Sequence, residues 1–170
     1  MSNLYLVCGI GGGGKTVLSH RIIEKNPGMT LLDPDMYYAK IYGDECNRGD
    51  AFPVWHQLFG DLHKLELEGK DVVLSTNALT YCQRSQFVEW FPSFTKHIIW
   101  VTSPWDRCVE GNAKRRRHIP EAVLKKQWHD MEFPSGKEPG WETVTHVTNH
   151  WTCEYNIDTL KGDIRKWIIF

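Results

Sequence analysis

The sequence predicts an α/β protein, with a parallel sheet of about five strands and helices on both faces of that sheet. Short apolar runs that end at glycines or small polar residues recur along the chain, and such runs are typical of buried strands. Between them lie segments whose apolar residues recur three and four positions apart, which indicates amphipathic helices. Alternating strands and helices are joined by right-handed crossovers into a parallel sheet. The chain has 170 residues, 41% of them hydrophobic and 24% charged, and we expect one domain over residues 1–170.

The first predicted unit is a strand, a glycine loop and a helix. Leu4 to Cys8 is an apolar run that ends at glycine. Lys15 to Asn26 then carries an apolar stripe, and Pro27 and Gly28 end the helix. Met29 to Leu32 is a second short strand.

The middle of the chain repeats this scheme. Apolar spacing predicts a helix from Phe52 to Glu68, a strand from Val72 to Leu74, a helix from about Gln83 to Trp90 and a strand from Ile98 to Val101. Another helix is expected to begin at residues 103–104.

The last third is predicted to hold a helix, a strand and a closing helix. Pro120 begins a helix that reaches Trp128. Val144 to Val147 reads as a strand after a turn rich in Pro and Gly. Asn156 to Ile169 is expected to form the closing helix, although Gly162 lowers its helix propensity.

Residues 9–16 match the phosphate-binding pattern GxxxxGK[ST] at every fixed position. Glycines let the backbone turn its N–H groups around a phosphate, and the next helix presents its positive N-terminal end. A flexible glycine loop that binds nothing would not need a buried strand before it and a helix after it. We therefore predict a P-loop NTPase three-layer sandwich that binds ATP and Mg²⁺, with Thr16 as the metal residue. The predicted nucleotide-binding residues are Gly11, Gly12, Gly13, Gly14, Lys15, Thr16 and Val17.

A carboxylate and a basic block are the candidates for chemistry at the outer phosphate. Asp33 and Asp35 follow the second predicted strand, where parallel sheets place their ligands, and Asp35 could accept the proton of an attacking hydroxyl. Lys114 to Arg117 form an unbroken basic block, which could neutralise phosphoryl charge as part of a helical lid over about residues 104–130. The alternative for Asp35 is a helix cap or turn residue, and for the block it is a solvated helix end.

Several further motifs occur in a fixed order. The run KNPGM precedes the second strand and residues 33–35, STN stands at residues 75–77, and VTSPWDRCVEGNAKRR and IPEAVL begin at Val101 and Ile119. In this order and spacing the chain resembles the kinase domain of phage-type polynucleotide 5′-hydroxyl kinases, up to about residue 141. Related P-loop kinases for tRNA-linked, nucleotide and small-molecule substrates share the motifs after the P-loop.

The resemblance implies roles at the matching positions. Asp35 would be the general base, Thr76 and Asn77 would lie on the acceptor side, and Arg115 would be the lid arginine that reaches the transferred phosphoryl group. Lys15 completes the catalytic set. The similar enzymes use ATP with Mg²⁺ and phosphorylate a hydroxyl. The predicted lid residues are Lys114, Arg115 and Arg116.

Two positions depart from that family. Tyr38 stands where the family has an arginine that holds the acceptor's phosphate, and Ser75 stands where an acidic residue precedes Thr-Asn. Mg²⁺ would then rest on Thr16, ATP oxygens and water, with Asp33 as an outer-sphere partner. Both departures fall on the acceptor or metal side, so we expect a reshaped acceptor pocket. The predicted substrate residues are Asp35, Tyr38, Thr76 and Asn77.

The tryptophans divide into two predicted groups. Trp105 and Trp128 flank the predicted lid, and aromatic side chains of this kind can stack on a base. Four of the other six fall in apolar patterns and are assigned to the core. They are Trp55, Trp90, Trp100 and Trp167.

The leading functional hypothesis is an ATP-dependent kinase that phosphorylates a hydroxyl of a nucleic acid, either a 5′ end or a modified base. The alternatives are a kinase for a nucleoside, nucleotide or other small metabolite, and a P-loop ATPase or switch without an acceptor. The formal net charge of -1 gives no general basic field for long nucleic acid. No apolar run approaches the roughly 20 residues of a membrane helix, so we expect a cytoplasmic protein with no membrane partner. As a separate expectation, no phosphatase domain follows residue 170. The oligomeric state is left open.

Overall fold

The computed structural model describes residues 1–149 and 155–159. Strands and helices alternate through most of this part of the chain. The strands are β1 (Asn3–Cys8), β2 (Thr30–Leu32), β3 (Val72–Ser75), β4 (Thr95–Thr102), β5 (Thr143–Asn149) and β6 (Tyr155–Thr159). The helices are α1 (Lys15–Lys25), α2 (Pro34–Tyr42), α3 (Ala51–Leu67), α4 (Tyr81–Trp90), α5 (Trp105–Ala113) and α6 (Glu121–Asp130).

All of these strands form one sheet, in the order β2-β3-β1-β4-β5-β6. β1 to β5 run parallel, as the sequence predicts, and β6 lies antiparallel to β5 at the edge. β1 is central, and its Leu6 pairs with Leu74 on one side and Ile98 on the other. β2 and β3 lie on one side of β1, and β4 and β5 lie on the other. This change of side opens a crevice at the carboxyl end of β1.

Alternate residues of the central strand face two separate apolar cores. Leu4 and Leu6 pack into the larger core, which also contains side chains of α2, α3 and α4. Tyr5 and Val7 pack on the opposite face, together with Leu18 of α1 and others. This alternation follows from the two-residue period of a strand, and helices on both faces keep the β1 side chains from solvent.

A third apolar cluster lies between the glycine loop and the two helices α5 and α6. Ile10 packs there with Cys108 of α5 and Leu124 of α6. Trp105 and Trp128 are packed against the same cluster, with their ring centroids 5.5 Å apart. The two tryptophans that the sequence analysis assigned to base stacking therefore contact each other within the lid.

Helix α2 is absent from the sequence-based prediction. Pro34 is its first residue, and Asp33 Oδ1 accepts a hydrogen bond from the Asp35 N–H at 2.9 Å, which caps the helix. Gly43 ends it with a left-handed φ of 79°. An Asp-Pro pair is as common at the start of a turn as at the start of a helix, so the local sequence did not distinguish the two.

The predicted closing helix from Asn156 to Ile169 is wrong at its start, because Tyr155–Thr159 form the edge strand β6. β6 pairs with β5 from Asn149 and Tyr155 onward. Residues 160–170, among them Trp167, lie outside the described residues. The other predicted helices and strands are present, with small differences at their ends. Nowhere in the described ranges is there a helix with the length and apolar character needed to cross a membrane.

Candidate functional site

The glycine loop between β1 and α1 depends on backbone conformations that favour glycine. Gly12 and Gly14 have φ values of 75° and 97°, in the left-handed region. A Cβ on Gly12 would lie 2.2 Å from the carbonyl oxygen of Cys108, so space as well as conformation requires glycine there. Ser103 Oγ donates to the Gly13 carbonyl at 2.8 Å. Gly14 precedes α1 without a side-chain cap, which leaves the positive end of the helix suited to an anion.

The two lid helices rest directly on this loop. The Gly11 N–H donates to Gln127 Oε1 of α6 at 3.0 Å. A Cβ on Gly111 of α5 would lie 2.2 Å from the Gly12 carbonyl oxygen, and one on Gly11 would lie 2.4 Å from Ile119 Cδ1. The loop backbone and the lid are therefore in van der Waals contact.

Lys15, the first residue of α1, folds back over the loop. Its Nζ donates to the Ile10 carbonyl at 2.8 Å. Burial, and next the positive charge of Arg115, lower the pKa of Lys15 from 10.5 to about 8. A phosphate held by the loop would raise that pKa again. Thr16 and Val17 follow with exposed side chains, and both line the adjacent cavity.

Asp33 directly follows β2, and Ser75 is the last residue of β3. These two strands are paired, with Leu32 opposite Leu74. Burial raises the pKa of Asp33, while hydrogen bonds from the Asp35 N–H and the Ser75 hydroxyl oppose that rise. No group of three His, Cys, Asp or Glu side chains forms a metal site among the residues described. Asp33 is close enough to Lys15 for their charges to interact, which puts the carboxylate beside the phosphate loop.

Asp35 lies in the first turn of α2, and its carboxylate contacts three guanidinium groups. Arg48 Nη2 donates to Oδ1 at 2.6 Å, and Arg115 Nη2 and Arg117 Nη2 donate to Oδ2 at 3.0 and 3.2 Å. Arg48 comes from the segment between α2 and α3, whereas Arg115 and Arg117 come from the segment between α5 and α6. The structure therefore brings together Asp35 and the predicted lid arginine, which are 80 residues apart in the sequence.

The four residues of the basic block point in different directions. Arg115 and Arg117 reach Asp35. Lys114 pairs with Glu110 one turn earlier, at the edge of the cavity. Arg116 pairs with Asp44 at 2.8 Å, and its side chain is 72% exposed. Arg117, which was not among the predicted lid residues, thus occupies the place that the prediction gave to Arg116.

The predicted acceptor-side residues line the same cavity as Asp35. Tyr38 is one turn after Asp35 in α2 and is 7% exposed, and the guanidinium carbon of Arg48 stacks 3.9 Å from the centre of its ring. The Thr76 N–H donates to the Val7 carbonyl at 3.0 Å, and the Asn77 carbonyl accepts from Gly9 at 3.1 Å. These bonds hold the segment after β3 against the start of the glycine loop.

One cavity of about 1090 Å³ joins these parts. The glycine loop, Asp33 and Asp35 with its arginines all line it. Helices α3 and α4 contribute an aromatic wall, which we define as Trp55, Phe59 and Trp90. A single small-molecule ligand typically occupies roughly 300–1,000 Å³, so the cavity has room for two reactants.

Sequence reasoning missed Arg48 and the aromatic wall, and it included Arg117 only as part of the basic block. Arg48 lies in a polar segment without a motif, and nothing local indicates its contact with Tyr38. Trp55 and Trp90 were assigned to the core, but Trp55 is only partly buried and Trp90 is 47% exposed at the cavity. Trp100, by contrast, is a core residue as predicted, with 1% of its surface exposed.

Solved structures with this fold include several kinases. A sugar kinase from Janibacter sp. HTCC2649 superposes with a TM-score of 0.65 and 18% identity, over 87% of this chain and 86% of that one. A fungal RNA kinase gives a TM-score of 0.63 and 15% identity, over 86% and 73%. The Pnkp1/Rnl/Hen1 RNA repair complex gives 0.67 and 14%, over 74% of this chain and 42% of that one. At these identities the likeness establishes a shared fold, that of P-loop kinases.

Sequence comparison gives the family. No curated protein sequence matches the chain significantly. A family model described as "AAA domain" matches residues 4–134, which include the glycine loop, Asp35 and the lid. The match covers more than half of the chain and agrees with the parallel sheet and the loop geometry. The chain therefore belongs to this AAA domain family and has the P-loop NTPase fold of its kinase-like members.

Proposed function

We propose that the protein is an ATP-dependent kinase that transfers the γ-phosphate of ATP to a hydroxyl group of a nucleic acid, either a 5′ end or a modified base. The observation that carries this proposal is the contact of Asp35 with three arginines in the cavity next to the glycine loop. Transfer to a hydroxyl needs a base for its proton and cations for the charge on the phosphoryl oxygens. Both lie within one site here.

Each group has a defined part in the transfer. The loop N–H groups and Lys15 hold the β- and γ-phosphates. Asp35 accepts the proton of the acceptor hydroxyl while the oxygen of that hydroxyl bonds to the γ-phosphorus. The bond from that phosphorus to the β,γ-bridging oxygen breaks, and ADP leaves. Arg115 neutralises charge on the γ-phosphoryl oxygens. Mg²⁺, held by the Thr16 hydroxyl and through water by Asp33, would offset further phosphate charge.

The arginines around Asp35 have one role before ATP binds and another after it. Before ATP binds, all three donate hydrogen bonds to the Asp35 carboxylate. The γ-phosphate carries more negative charge than the carboxylate, so it attracts Arg115 and Arg117 away from Asp35. Loss of these partners leaves Oδ2 of Asp35 open to a hydrogen bond from the acceptor hydroxyl. ATP binding thereby prepares Asp35 to take the proton of the acceptor hydroxyl.

A nucleic-acid acceptor is supported by the motif order that resembles polynucleotide 5′-hydroxyl kinases and by the fold likeness to an RNA kinase and an RNA repair complex. The net charge of -1 agrees with recognition of a chain end or a single base rather than of a long duplex. All three arginines at Asp35 could contact phosphates of a short single strand.

A small-metabolite acceptor is the second candidate. Tyr38 stands where the resembling family has an arginine, and the fold is shared with a sugar kinase and a gluconokinase from Sinorhizobium meliloti. An ATPase or switch without an acceptor is the third candidate, favoured by Ser75 at the end of β3 in place of an acid.

Phosphate transfer from [γ-³²P]ATP separates these functions. The acceptors to test are 5′-hydroxyl DNA and RNA oligonucleotides, nucleosides, nucleotides and sugars. Label in oligonucleotides supports the proposal, and label only in small acceptors assigns the second function. Hydrolysis that no acceptor stimulates assigns the third.

Asp35→Asn tests the base directly. We expect the transfer rate to fall by roughly 10²- to 10⁴-fold, since asparagine cannot take up the proton. Asp44→Asn is the matched control, because Asp44 also pairs with an arginine of the basic block but lies outside the cavity. An Asp35→Asn enzyme with undiminished transfer would exclude Asp35 as the base.

A further inference from the structure

The aromatic wall presents ring surface to the cavity. Trp55 and Phe59 lie one turn apart on α3, with their ring centroids 5.4 Å apart. Trp90 ends α4 and packs edge-on against Phe59 at 5.4 Å and 74°. Phe59 also contacts Phe87 and Phe91 of the larger core, so the wall is anchored from behind.

The exposure of the wall is not what core packing alone would produce. Trp90 is 47% exposed and borders the cavity, whereas Trp100 of the core is 1% exposed. An exposed tryptophan face leaves a large apolar area in water, at roughly 25 cal/mol per Å². A ligand that covers the ring removes that area from water. Rings with a flat π surface gain further from stacking on an indole.

A polar side chain accompanies the wall on the same face of α4. Gln86 lies four residues before Trp90, which places both on one side of the helix, and Gln86 is exposed and lines the cavity. Its amide carries both donors and an acceptor. This combination of donors and an acceptor matches the edge of a nucleobase, which also carries donors and acceptors. Gln83 on the same helix is engaged in the capping box with Thr80.

Positive charge lies beside Asp35, in the cavity that the wall lines. Arg48 stacks on Tyr38 and pairs with Asp35, and its side chain is 33% exposed. It lines the same cavity as the wall. The planar guanidinium is therefore held in place and accessible to an anion, and guanidinium groups bind phosphate through paired N–H donors.

We propose that the aromatic wall, with Gln86, is a base-binding subsite for the acceptor, and that Arg48 contacts a phosphate of the same acceptor nucleotide. This inference rests on the proposed kinase function and narrows its acceptor to a nucleoside that carries a phosphate besides the hydroxyl to be modified. The acceptor is either a free nucleotide or the terminal nucleotide of a chain, since both present the same ring and phosphate. The hydroxyl lies between the two contacts, toward Asp35.

Equilibrium binding tests the subsite without requiring turnover. The donor site is first saturated with a non-hydrolysable ATP analogue, and binding of radiolabelled adenosine 3′-monophosphate and of a 5′-hydroxyl tetranucleotide is then measured. Trp90→Ala is expected to weaken binding roughly 5- to 150-fold, the effect of removing one stacked aromatic. Trp90→Phe should restore most of the affinity. The affinity for the ATP analogue itself should stay unchanged in both variants.

Phe52→Ala is the matched control. Phe52 lies on α3, as do Trp55 and Phe59 of the wall. It is 72% exposed and does not border the cavity. Its loss should leave acceptor binding within about twofold, the size of an ordinary surface effect. Tighter binding of the tetranucleotide than of the mononucleotide would assign the subsite to a chain end, and the reverse would assign it to a free nucleotide.

Two results would overturn the inference. One is acceptor binding that Trp90→Ala leaves unchanged. The other is transfer to sugars but not to any nucleotide, which would leave the kinase function standing and remove the subsite. A protein that transfers phosphate to no acceptor would refute the kinase proposal instead. In that case a 5-fold or greater loss of nucleotide binding in Trp90→Ala would still establish the subsite as a binding site.

Discussion

Arg115 and Arg116 are neighbours in the sequence, but their guanidinium groups lie on opposite sides of the lid. Arg115 contacts Asp35 in the cavity, whereas Arg116 contacts Asp44 outside it. Under the proposed function, Arg115→Ala should lower the rate of phosphate transfer by about a thousandfold, as for other arginines that stabilise a transferred phosphoryl group. Single-turnover transfer from [γ-³²P]ATP measures this rate.

Arg116→Ala provides the control for that prediction, because it removes the same charge one residue away. Its transfer rate should stay within about twofold of the wild type, since an exposed ion pair contributes little. Equal losses in the two variants would mean that the net charge of the lid matters, rather than the position of Arg115.

Lys15 gives nucleotide binding a pH dependence. Its pKa is lowered to about 8 by burial and by Arg115, so about half of its positive charge is present at pH 8, more below that pH and less above it. A triphosphate favours the charged form. We therefore expect the affinity for ATP to be greatest below pH 8 and to fall by up to about tenfold per pH unit above it. Calorimetric titrations between pH 7 and 9.5 test this.

Lys15→Arg separates the lysine from other groups that titrate in this range. Arginine stays charged at all of these pH values, so the affinity of the variant should change little between pH 7 and 9.5. A wild-type affinity that is constant over the range would contradict the assignment of Lys15 to the phosphates.

At the scale of helices, the contact of α5 with the glycine loop depends on the missing side chain of Gly111. Alanine there would place Cβ 2.2 Å from the Gly12 carbonyl oxygen, a backbone atom that no rotamer change can move. Alanine favours a helix by about 1 kcal/mol over glycine, but overpacking costs about 1–3 kcal/mol. We expect Gly111→Ala to lower the free energy of unfolding and weaken ATP binding, as measured by urea unfolding and calorimetry.

Gly60→Ala should have the opposite effect on stability. Gly60 is an exposed residue within α3, and a Cβ there would meet nothing within 4 Å. Only helix propensity changes, so the free energy of unfolding should rise by up to about 1 kcal/mol. If both alanine variants were equally stable, α5 would not be pressed against the loop as described.

Most helices and strands could be predicted from the sequence, because apolar spacing reports which face of an element is buried. It does not report what covers that face. Trp55 and Trp90 continue apolar stripes of α3 and α4, and the stripes run past the edge of the core into the cavity. Likewise β6 is set by pairing with β5, a contact between strands that the helical pattern of residues 156–169 does not contain.

The glycine loop and Asp35 could be predicted because each follows a strand that the sequence itself marks. Arg48 and Arg117 could not. Their contacts with Asp35 join segments 13 and 82 residues away along the chain, and their orientation depends on how α2, α3 and the lid pack. The block of four basic residues indicated the right region, but only the fold distinguishes Arg117 from Arg116.

At the scale of the whole molecule, the net charge of -1 limits how a nucleic acid can bind. Positive charge at the site is concentrated in the three arginines at Asp35. Each phosphate of a single strand that pairs with a cation contributes about 0.7 to the salt dependence. In the absence of nucleotide, when no γ-phosphate engages Arg115 and Arg117, a 5′-hydroxyl oligonucleotide should therefore bind with a slope of about −2 in log affinity against log salt concentration. Fluorescence anisotropy at several salt concentrations measures it.

Arg48→Ala should make that slope less steep by about 0.7. A wild-type slope of roughly −5 or beyond would mean that phosphates also contact a second basic surface, away from the cavity. A slope near zero would mean that no phosphate of the strand is neutralised by these arginines.

The Gly11 N–H of the glycine loop already donates a hydrogen bond to Gln127 of the lid helix α6. An N–H with one hydrogen cannot serve a glutamine oxygen and a phosphate oxygen fully at once. A triphosphate that takes this donor must displace the Gln127 side chain, and its departure lets that side chain return. Under the proposed function, ATP binding and displacement of Gln127 would therefore occur together, and the return of Gln127 to the Gly11 N–H would favour release of ADP.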